Sequence, residues 1–193
     1  MTVSIKKLLV AILIVLLPLS TFGFELISVD NAGNQGTDFA YYPAVSDDAQ
    51  IVAFQYEGDD LLPGDTNGQG DVFVYDRNTD TLEIVSVSST GAQATDVSGY
   101  YGVDISGDGD VVVYQSYDDS VLVPGVGCCQ VYARIRSTGQ TVLVSRDSAG
   151  NPGNNDSQHP KISDDGRYVV FSSYADNLVP GDTNASGDIF VHD

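Results

Sequence analysis

The chain has 193 residues, and its 27 acidic and 8 basic side chains give a formal net charge of −19. A surface this acidic repels nucleic acid and anionic membranes, which excludes functions that depend on binding either one. Only Glu25, Glu57 and Glu83 are glutamates, so the acid is almost all aspartate, a residue of turns and caps. Together with abundant Val, Tyr, Thr and Gly, this composition predicts strands joined by turns.

Residues 1–23 have the pattern of a secretory signal peptide. Lys6 and Lys7 precede an unbroken apolar run over residues 8–17, Pro18 ends the run, and small or polar residues lead to a cleavage site near Gly23. The run is too short for a membrane span, which needs about 20 residues. The alternative is an uncleaved N-terminal anchor. The pattern predicts a secreted or periplasmic domain over residues 24–193, which is more acidic still once the two lysines are removed.

A segment that occurs three times organises the rest of the chain. Its copies are anchored on Ser46, Ser106 and Ser163, so the spacing between copies is nearly constant. A period of roughly 60 residues predicts stacked structural repeats. The copies cover approximately residues 34–91, 92–150 and 151–193.

Each copy contains four predicted strands, which we call a to d. Strand a ends at the anchor serine, an Asp/Gly turn follows, and strands b and c are short β-branched and aromatic runs typical of buried strands. The predicted d strands cover residues 26–29, 84–87 and 143–146. Four antiparallel strands repeated at this period predict a β-propeller blade, and the alternative is a β-sandwich of similar hairpins.

The motifs of residues 43–76 and 160–193 carry a resemblance to a known family. The Ser-Asp-Asp turn, the apolar strand, the Leu-Pro-Gly-Asp-Thr-Asn or Val-Pro-Gly-Asp-Thr-Asn loop and the final Gly-Asp-[VI]-Phe-Val strand resemble the WD40-like, TolB-like propeller repeat of exported bacterial proteins. Asp47, Gly107 and Asp164 replace the usual proline of the turn. The resemblance implies an all-β propeller that docks proteins or ligands in the cell envelope, and no catalytic motif adds an enzymatic activity to it.

The order of the strands is d-abc-d-abc-d-abc, so the chain opens with a strand that belongs to a closing blade. Residues 25–30 would complete the blade formed by the last abc set, giving three four-stranded blades, a partial or half propeller. Because a closed ring needs at least about four blades, two hypotheses remain. Two chains form one six-bladed ring as a homodimer, or the chain is an N-terminal fragment of a larger propeller-containing envelope protein or enzyme.

The two b–c loops of the outer copies resemble the first half of a calcium-binding loop. Closely spaced oxygen donors surround a glycine in each, and the candidate ligands are Asp65, Asn67 and Asp71 in the first loop and Asp182, Asn184 and Asp188 in the second. Asp76 and Asp193 stand at the twelfth position, but five strand residues are expected to carry them to the opposite face. The alternative is an Asx-turn that braces the loop, without a metal ion.

The middle copy has Cys128 and Cys129 in place of this loop. Adjacent cysteines in an exported chain are expected to be oxidised, either with each other or with another chain. His159 and His192 align with Tyr42 and Tyr75 of the first copy, so both are interpreted as scaffold substitutions rather than as catalytic residues.

Two tyrosine pairs, Tyr41–Tyr42 and Tyr100–Tyr101, fall in the predicted d–a loops. They share a face with the Asp/Asn loops, and exposed tyrosines anchor peptides or stack on sugars, although packing between blades is an equal alternative. The predicted function is therefore an exported, non-enzymatic scaffold that binds a protein or ligand through this face. The alternative is a calcium-assisted carbohydrate-binding module. No nucleic-acid partner is expected, nor membrane contact beyond the signal peptide.

Overall fold

The computed structural model describes residues 23–118, 120–127, 129–184 and 186–193. The predicted signal peptide and Cys128 therefore lie outside the described residues, apart from Gly23. The described chain forms eleven strands and no α-helix, with these bounds: β1 Ala40–Val45, β2 Ile51–Tyr56, β3 Asp71–Asp76, β4 Thr81–Ile84, β5 Ser98–Ile105, β6 Val111–Ser116, β7 Gln130–Ile135, β8 Gln140–Leu143, β9 Ser157–Ile162, β10 Val169–Ser173 and β11 Asp188–His192. Across these residues, no helix is long and apolar enough to cross a membrane.

Consecutive strands pair in antiparallel fashion into three separate sheets. Blade 1 contains β1 to β4 and blade 2 contains β5 to β8, each in chain order, whereas blade 3 contains only β9, β10 and β11. The predicted all-β partial propeller is confirmed. Within the described residues, blade 3 has three strands, and residues 25–30, the segment expected to supply its fourth, form no strand beyond an isolated bridge at Val29.

Two apolar clusters hold neighbouring blades together. The junction between blades 1 and 2 buries Ala53, Val72 and Val74 of one sheet against Tyr114 and Tyr132 of the next. The junction between blades 2 and 3 packs Val113 and Val131 against Val169 and Phe171 in the same way. Strand β6 contributes to both clusters, and the second face of β2 packs in a third cluster with Phe73. Because both faces of these two strands are covered, their apolar character does not alternate.

The anchor serines close the a–b turns. The hydroxyl of Ser46 accepts a hydrogen bond from the Ile51 N–H at 3.0 Å and donates one to Asp48 at 2.8 Å. Ser106 and Ser163 make the equivalent pairs of bonds. The three turns also meet one another, since the Asp47 N–H donates to the Gly107 carbonyl at 2.9 Å and the Gly107 N–H donates to the Asp164 carbonyl at 2.8 Å. The innermost strands of the blades therefore converge at this end.

The predicted positions of strand d were wrong by three residues. The hairpin after β3 is short and pairs Asp76 with Thr81, so β4 ends at Ile84, the residue where the predicted strand begins. In the same way, β8 ends at Leu143. The residues that follow each d strand instead cross to the next blade. For example, the Tyr114 hydroxyl donates to the Val85 carbonyl at 3.3 Å.

The N-terminal segment lies against the outer face of blade 1. Ile27 and Val29 pack on the cluster that contains Phe54, Tyr56 and Phe73. Its only β-bridge in the described chain is an isolated one between Val29 and Gln35. The assignment of residues 25–30 as a closing strand thus remains a prediction.

Candidate functional site

The four tyrosines predicted to bind a partner lie on strands, not in loops. Tyr41 and Tyr42 belong to β1, and Tyr100 and Tyr101 belong to β5. β1 and β5 are in contact across the junction between their blades. Because Tyr41 is paired with Gln55, one residue before the end of β2, the tyrosines lie at the end of the sheet from which the b–c loops depart. We call this end the loop face.

A β-bulge distorts each innermost strand at the same place. The pairing shifts between Tyr41 and Ala44 in blade 1, and between Ser98 and Val103 in blade 2. Tyr42 has a φ of 51° and His159, its equivalent in blade 3, has a φ of 55°. Side chains other than glycine, asparagine and aspartate seldom adopt this left-handed conformation, which costs about 1–3 kcal/mol and often occurs at functional sites.

The bulges bring aromatic rings into one row along the loop face. Tyr100 and Tyr101 form a T-shaped pair with centroids 5.0 Å apart, and their rings lie 6.3 and 6.2 Å from that of Tyr117. The His159 ring stands edge-on to Tyr101 at 5.6 Å. In blade 1, Phe39, Tyr41 and Tyr42 form a second group with centroid spacings of 6.1 and 6.2 Å. These seven residues are called the aromatic row.

Between the two groups of rings is an open cavity of about 390 Å³. All four predicted tyrosines line it, together with Gln55 and Glu57. Gln55 is only 1% exposed, and neither its Oε1 nor its Nε2 has a hydrogen-bond partner among the described residues. A buried amide without partners costs about 1–3 kcal/mol for each unsatisfied group, so this position is ready to bond a ligand or water.

A second cavity, of about 290 Å³, joins the three blades. Its lining includes Tyr42 and its repeat equivalents Gly102 and His159, together with Tyr101 and Lys161. His159 was interpreted as a scaffold residue that replaces Tyr42 in the third copy. In the structure its ring lines this cavity and extends the aromatic row into blade 3.

Two phenols of the row are held in their protonated form at neutral pH. Burial is the main cause that raises the pKa of Tyr117 far above its usual value, and a hydrogen bond with Tyr101 raises it further. Burial and the charge of Glu57 also raise the pKa of Tyr41. The row therefore presents neutral hydroxyl groups at these positions, one of them beside Glu57.

The sequence alone did not reveal several residues of this site. Phe39, Gln55, Glu57 and Tyr117 lack any motif, and Gln55 in particular looked like one more member of a buried strand. The usable signal was the internal alignment of the repeats, in which Gln55 and Gln115 occupy one position, and both are buried without partners for their amide atoms in the described chain.

Hydrogen bonds from the side-chain amides of Asn67 and Gln93 hold the first candidate calcium loop together. The Asn67 Oδ1 accepts the Gln69 N–H at 2.8 Å, and its Nδ2 donates to Asp71 at 2.7 Å and to the Ala94 carbonyl at 2.9 Å. The Gln93 Nε2 bridges the carboxylates of Asp65 and Asp71 at 2.6 and 3.0 Å. This is the geometry of a braced Asx-turn.

Both carboxylates of this loop are buried. Burial raises the pKa of Asp71 to about 6, against hydrogen bonds from Ser86, Asn67 and Gln93 that lower it. Burial also raises the pKa of Asp65, whose Oδ2 has no hydrogen-bond partner among the described residues. Asp76 pairs with Ile51 at the far end of the sheet, as expected.

The second loop repeats the turn in a more exposed form. Asn184 donates to Asp188 at 3.0 Å and accepts the Ser186 N–H at 2.8 Å, but among the described residues no amide bridges Asp182 and Asp188 as Gln93 bridges Asp65 and Asp71. Asp182 lies in the same loop and lines an open cleft with both residues. Nowhere in residues 23–118, 120–127, 129–184 and 186–193 do three His, Cys, Asp or Glu side chains converge as metal ligands.

The remaining singled-out residues lie away from the aromatic row. Cys129 is buried and has a φ of 67°, and because Cys128 is outside the described residues, their disulfide stays a prediction. His192 pairs with Val169 at the end of β11, where burial and the charge of Arg146 lower its pKa.

No protein-family model matches the chain, and none of the curated proteins matches its sequence. Among solved structures the chain is similar to TolB from Acinetobacter baumannii, with 19% identity and a TM-score of 0.47 over 81% of this chain and 30% of that one. A TolB-type protein from Agrobacterium tumefaciens has 15% identity and a TM-score of 0.46 over 81% and 50% of the two chains. For the tricorn protease the values are 13% and 0.42, over 82% and 12%. The chain thus spans half or less of each of these structures, two of which bear the name of the family that the repeat motif resembles.

Proposed function

We propose that the protein is an exported propeller scaffold that binds a segment of a partner protein in the cavity of the aromatic row. The observation that carries the proposal is Gln55, a buried amide with an unused donor and an unused acceptor at a cavity lined by four tyrosines. Export is proposed from the signal-peptide pattern of residues 1–23.

The chemistry of the cavity matches a peptide. A backbone amide offers one N–H and one C=O, and the Gln55 side chain carries the matching acceptor and donor, which it would present by turning towards the cavity. Tyrosine rings give a large contact area with few rotatable bonds, and their hydroxyls accommodate polar groups at the rim. Glu57 and the net charge of −19 favour a segment that carries Lys or Arg, because the acidic surface attracts it and the ring faces bind its cation.

Fluorescence anisotropy with labelled peptides tests the proposal. Peptides that carry Lys or Arg are expected to bind, and acidic peptides of the same length are not. The double variant Tyr42→Ala/Tyr100→Ala should lose at least about tenfold in affinity, since truncation of anchoring tyrosines costs about 2 kcal/mol or more. Tyr174→Ala is the matched control, because Tyr174 is equally exposed but lies outside the row.

Gln55→Leu gives the sharper readout. It preserves the apolar part of the side chain and removes both polar atoms, so peptide binding should fall while thermal stability stays the same or rises. Unchanged peptide affinity in both the tyrosine and the glutamine variants would contradict the proposal.

A second candidate is a calcium-assisted carbohydrate-binding module on the same face. The buried Asp65 Oδ2 without a partner in the described chain favours it, because a cation there would satisfy the oxygen and offset the adjacent charge of Asp71. Asn67 and Gln93 would then turn their amide oxygens towards the ion. A glycan array run with calcium and with chelator separates the two candidates, and identical melting in calcium and in EDTA would remove this one.

We do not propose an enzymatic activity for the described blades. If the chain is part of a longer envelope protein or enzyme, the loop face is expected to dock that protein's substrate or partner, and the peptide experiment applies without change.

A further inference from the structure

The innermost strand of the middle blade is longer than its equivalents in the other two blades. Strand β5 has eight residues, whereas β1 and β9 have six each. The pairing of β5 with β6 leaves residues 99–102 opposite one residue, Gln115. The bulge of blade 1 places only residues 42 and 43 opposite Phe54. The enlarged bulge of blade 2 has the sequence Gly-Tyr-Tyr-Gly, and we call it the tyrosine bulge.

Glycines at both ends allow the tyrosine bulge to form. Gly99 has a φ of 83° and Gly102 has a φ of 123°, a conformation that other residues seldom adopt. Gly99 also lies close to blade 1, since a Cβ there would be 2.9 Å from the Val72 Cγ2 and 3.0 Å from the Gln55 Cγ. Bulges of this kind redirect side chains. The tyrosine bulge therefore packs beside the buried amide of blade 1 and presents its two rings to the cavity of about 390 Å³.

The rings on the two sides of this cavity stand at large angles to one another. The planes of Tyr100 and Tyr101 are 85° apart, and those of Tyr41 and Tyr42 are 50° apart. Three of these rings are 43%, 44% and 48% exposed, so their faces are open to a ligand. A planar guanidinium stacks on a flat aromatic face. Rings in several orientations instead fit a rounded cation, which meets each face from a different direction.

The electrostatics of the cavity favour a cation from outside the chain. Glu57 is the carboxylate in its lining, and none of the six lining residues is Lys or Arg. In the described chain, the side-chain cation that lies over a ring is Arg167, 4.8 Å from the centroid of Tyr168, which is not part of the aromatic row. The negative faces of the tyrosines and the charge of Glu57 are therefore available to a ligand.

The polar groups at the cavity distinguish one kind of cation from another. A primary ammonium has three N–H donors, and each needs an acceptor once its water is removed. Glu57 is the only charged acceptor in the lining, and the Gln55 amide is buried. A quaternary ammonium has no N–H donor and spreads its charge over its alkyl groups, so aromatic faces satisfy it. A phosphate or carboxylate close to the cation would be repelled by Glu57 and by the net charge of −19.

We infer that the cavity of the aromatic row binds a quaternary ammonium group, carried on a chain without a nearby anion. The four tyrosine faces contact the cation, Glu57 balances its charge, and Gln55, turned towards the cavity, bonds a hydroxyl or amide of the attached chain. The volume is within the range of about 300–1,000 Å³ of small-molecule sites, which accommodates the group and the first atoms of its chain. The inference rests on the proposed function, because it assigns the chemical group that the same cavity selects.

Isothermal titration calorimetry on the full chain tests the inference with small probes. The probes are choline chloride, ethanolamine as the primary ammonium, and dimethylbutanol, the uncharged analogue of choline with carbon in place of nitrogen. Choline should bind at least about tenfold more tightly than either of the other two, and phosphocholine should bind more weakly than choline. Choline affinity no higher than that of dimethylbutanol would overturn the inference.

Paired substitutions separate the ring face from the hydroxyl. Tyr100→Leu should weaken choline binding about threefold or more, whereas Tyr100→Phe, which keeps the face, should leave it nearly unchanged. The matched control is Tyr174→Leu, at an exposed tyrosine outside the row. Deletion of residues 100 and 101 gives β5 the length of β1 and β9, and it should abolish binding while the chain still melts cooperatively. Equal affinities of Tyr100→Leu and Tyr100→Phe would overturn the inference.

A third experiment distinguishes this inference from the proposed function. Labelled peptides that carry lysine, and the same peptides with trimethyl-lysine, are compared by fluorescence anisotropy. The trimethylated form should bind about tenfold more tightly, and choline should displace it. Equal binding of both forms without displacement by choline would overturn this inference and leave the proposed function standing. Binding of choline without binding of any peptide would support this inference and contradict the proposed function.

Discussion

The two junctions between blades have the same architecture but different polar chemistry. At the start of strand c, the first junction has the carboxylate of Asp71 where the second has the amide of Gln130. In the linker that follows, the Thr95 N–H donates to Asp118 at 2.9 Å, whereas the Asn154 N–H donates to Asn177 at 2.9 Å. At two equivalent places, acids of the first junction are thus replaced by amides in the second.

At the start of strand c, an amide side chain makes all of its hydrogen bonds directly, whereas a carboxylate needs donors from other side chains. Gln130 accepts from Ser145 and donates directly to the carbonyls of Gly153 and Asn155. Asp71 has no hydrogens to donate when ionised, so Asn67 and Gln93 must supply donors to it. The comparison teaches that the geometry at the start of strand c is compatible with either group, while only an acid there makes the stability of the site depend on pH.

The largest difference between the junctions is expected at a glycine. Gly109 has a φ of +74°, and a Cβ there would lie 2.6 Å from the Ile51 Cγ1 in the first junction. We expect Gly109→Ala to lower the free energy of unfolding by about 2–4 kcal/mol, through backbone strain and overpacking. The matched control is Gly166→Ala, where φ is +73° but the nearest atom is 3.5 Å away, and it should cost about 1 kcal/mol. Equal losses in urea titrations would show that the Ile51 contact is not tight.

The pH dependence of stability should separate Asp71 from Gln130. Because the folded pKa of Asp71 is raised to about 6, its protonated form is favoured in the native state, and stability falls as pH rises from about 4 through 6. The expected loss is up to about 3 kcal/mol. Asp71→Asn should flatten this slope in urea titrations across pH, and Gln130→Glu should create a similar slope at the second junction. A slope that persists in Asp71→Asn would assign it to other groups.

Asp118 should act in the opposite direction. Burial opposes its ionisation, but hydrogen bonds from Leu122, Thr95 and Val121 outweigh the burial and lower its pKa. Its contribution is therefore present above the unfolded pKa of about 4 and is lost as pH falls further. Asp118→Asn is expected to cost about 1–2 kcal/mol at neutral pH and to weaken the acid sensitivity. The second-junction control, Asn177→Asp, should change stability less because its site is more exposed. Equal acid sensitivity before and after Asp118→Asn would contradict this role.

The smallest effect is expected at the surface ion pairs. Glu83 is half-exposed where it pairs with Arg136, so Glu83→Ala should cost at most about 0.5 kcal/mol. Glu25→Ala, at the equivalent pair on blade 1, is the control and should cost the same. Thermal melts measure both losses, and a loss well above about 1 kcal/mol in either variant would contradict the small value expected of a surface ion pair.

Much of the fold was predictable because the sequence repeats. The turns at Ser46, Ser106 and Ser163 and the apolar runs that follow them are local signals, and each appears in the structure where it was expected. The ends of strand d were misplaced, because the residues after Ile84 and Leu143 remain apolar. Their burial comes from the next blade, and local patterning does not distinguish a strand from a segment that crosses between blades.

The candidate site was predictable only in part. The tyrosine pairs were predicted as binding residues because adjacent aromatic residues stand out in the sequence. Their positions on β1 and β5 depend on β-bulges, which a sequence pattern does not reveal. Gln55 was missed because an amide inside an apolar run carries no sign of whether it will find a partner. That outcome depends on the neighbouring blade, which contributes tyrosines to this cavity.

The sequence by itself determined the all-β class, the three blades, the turn chemistry and the phase of the repeat. These follow from local preferences and from the repeat, which acts as an internal alignment. Only the tertiary structure decided which side chains meet between blades, as in the aromatic row and the bridged carboxylates, and which buried groups find no partner, as in the amide of Gln55. Such contacts join residues far apart in the chain, and their energies depend on burial and geometry that no local pattern contains.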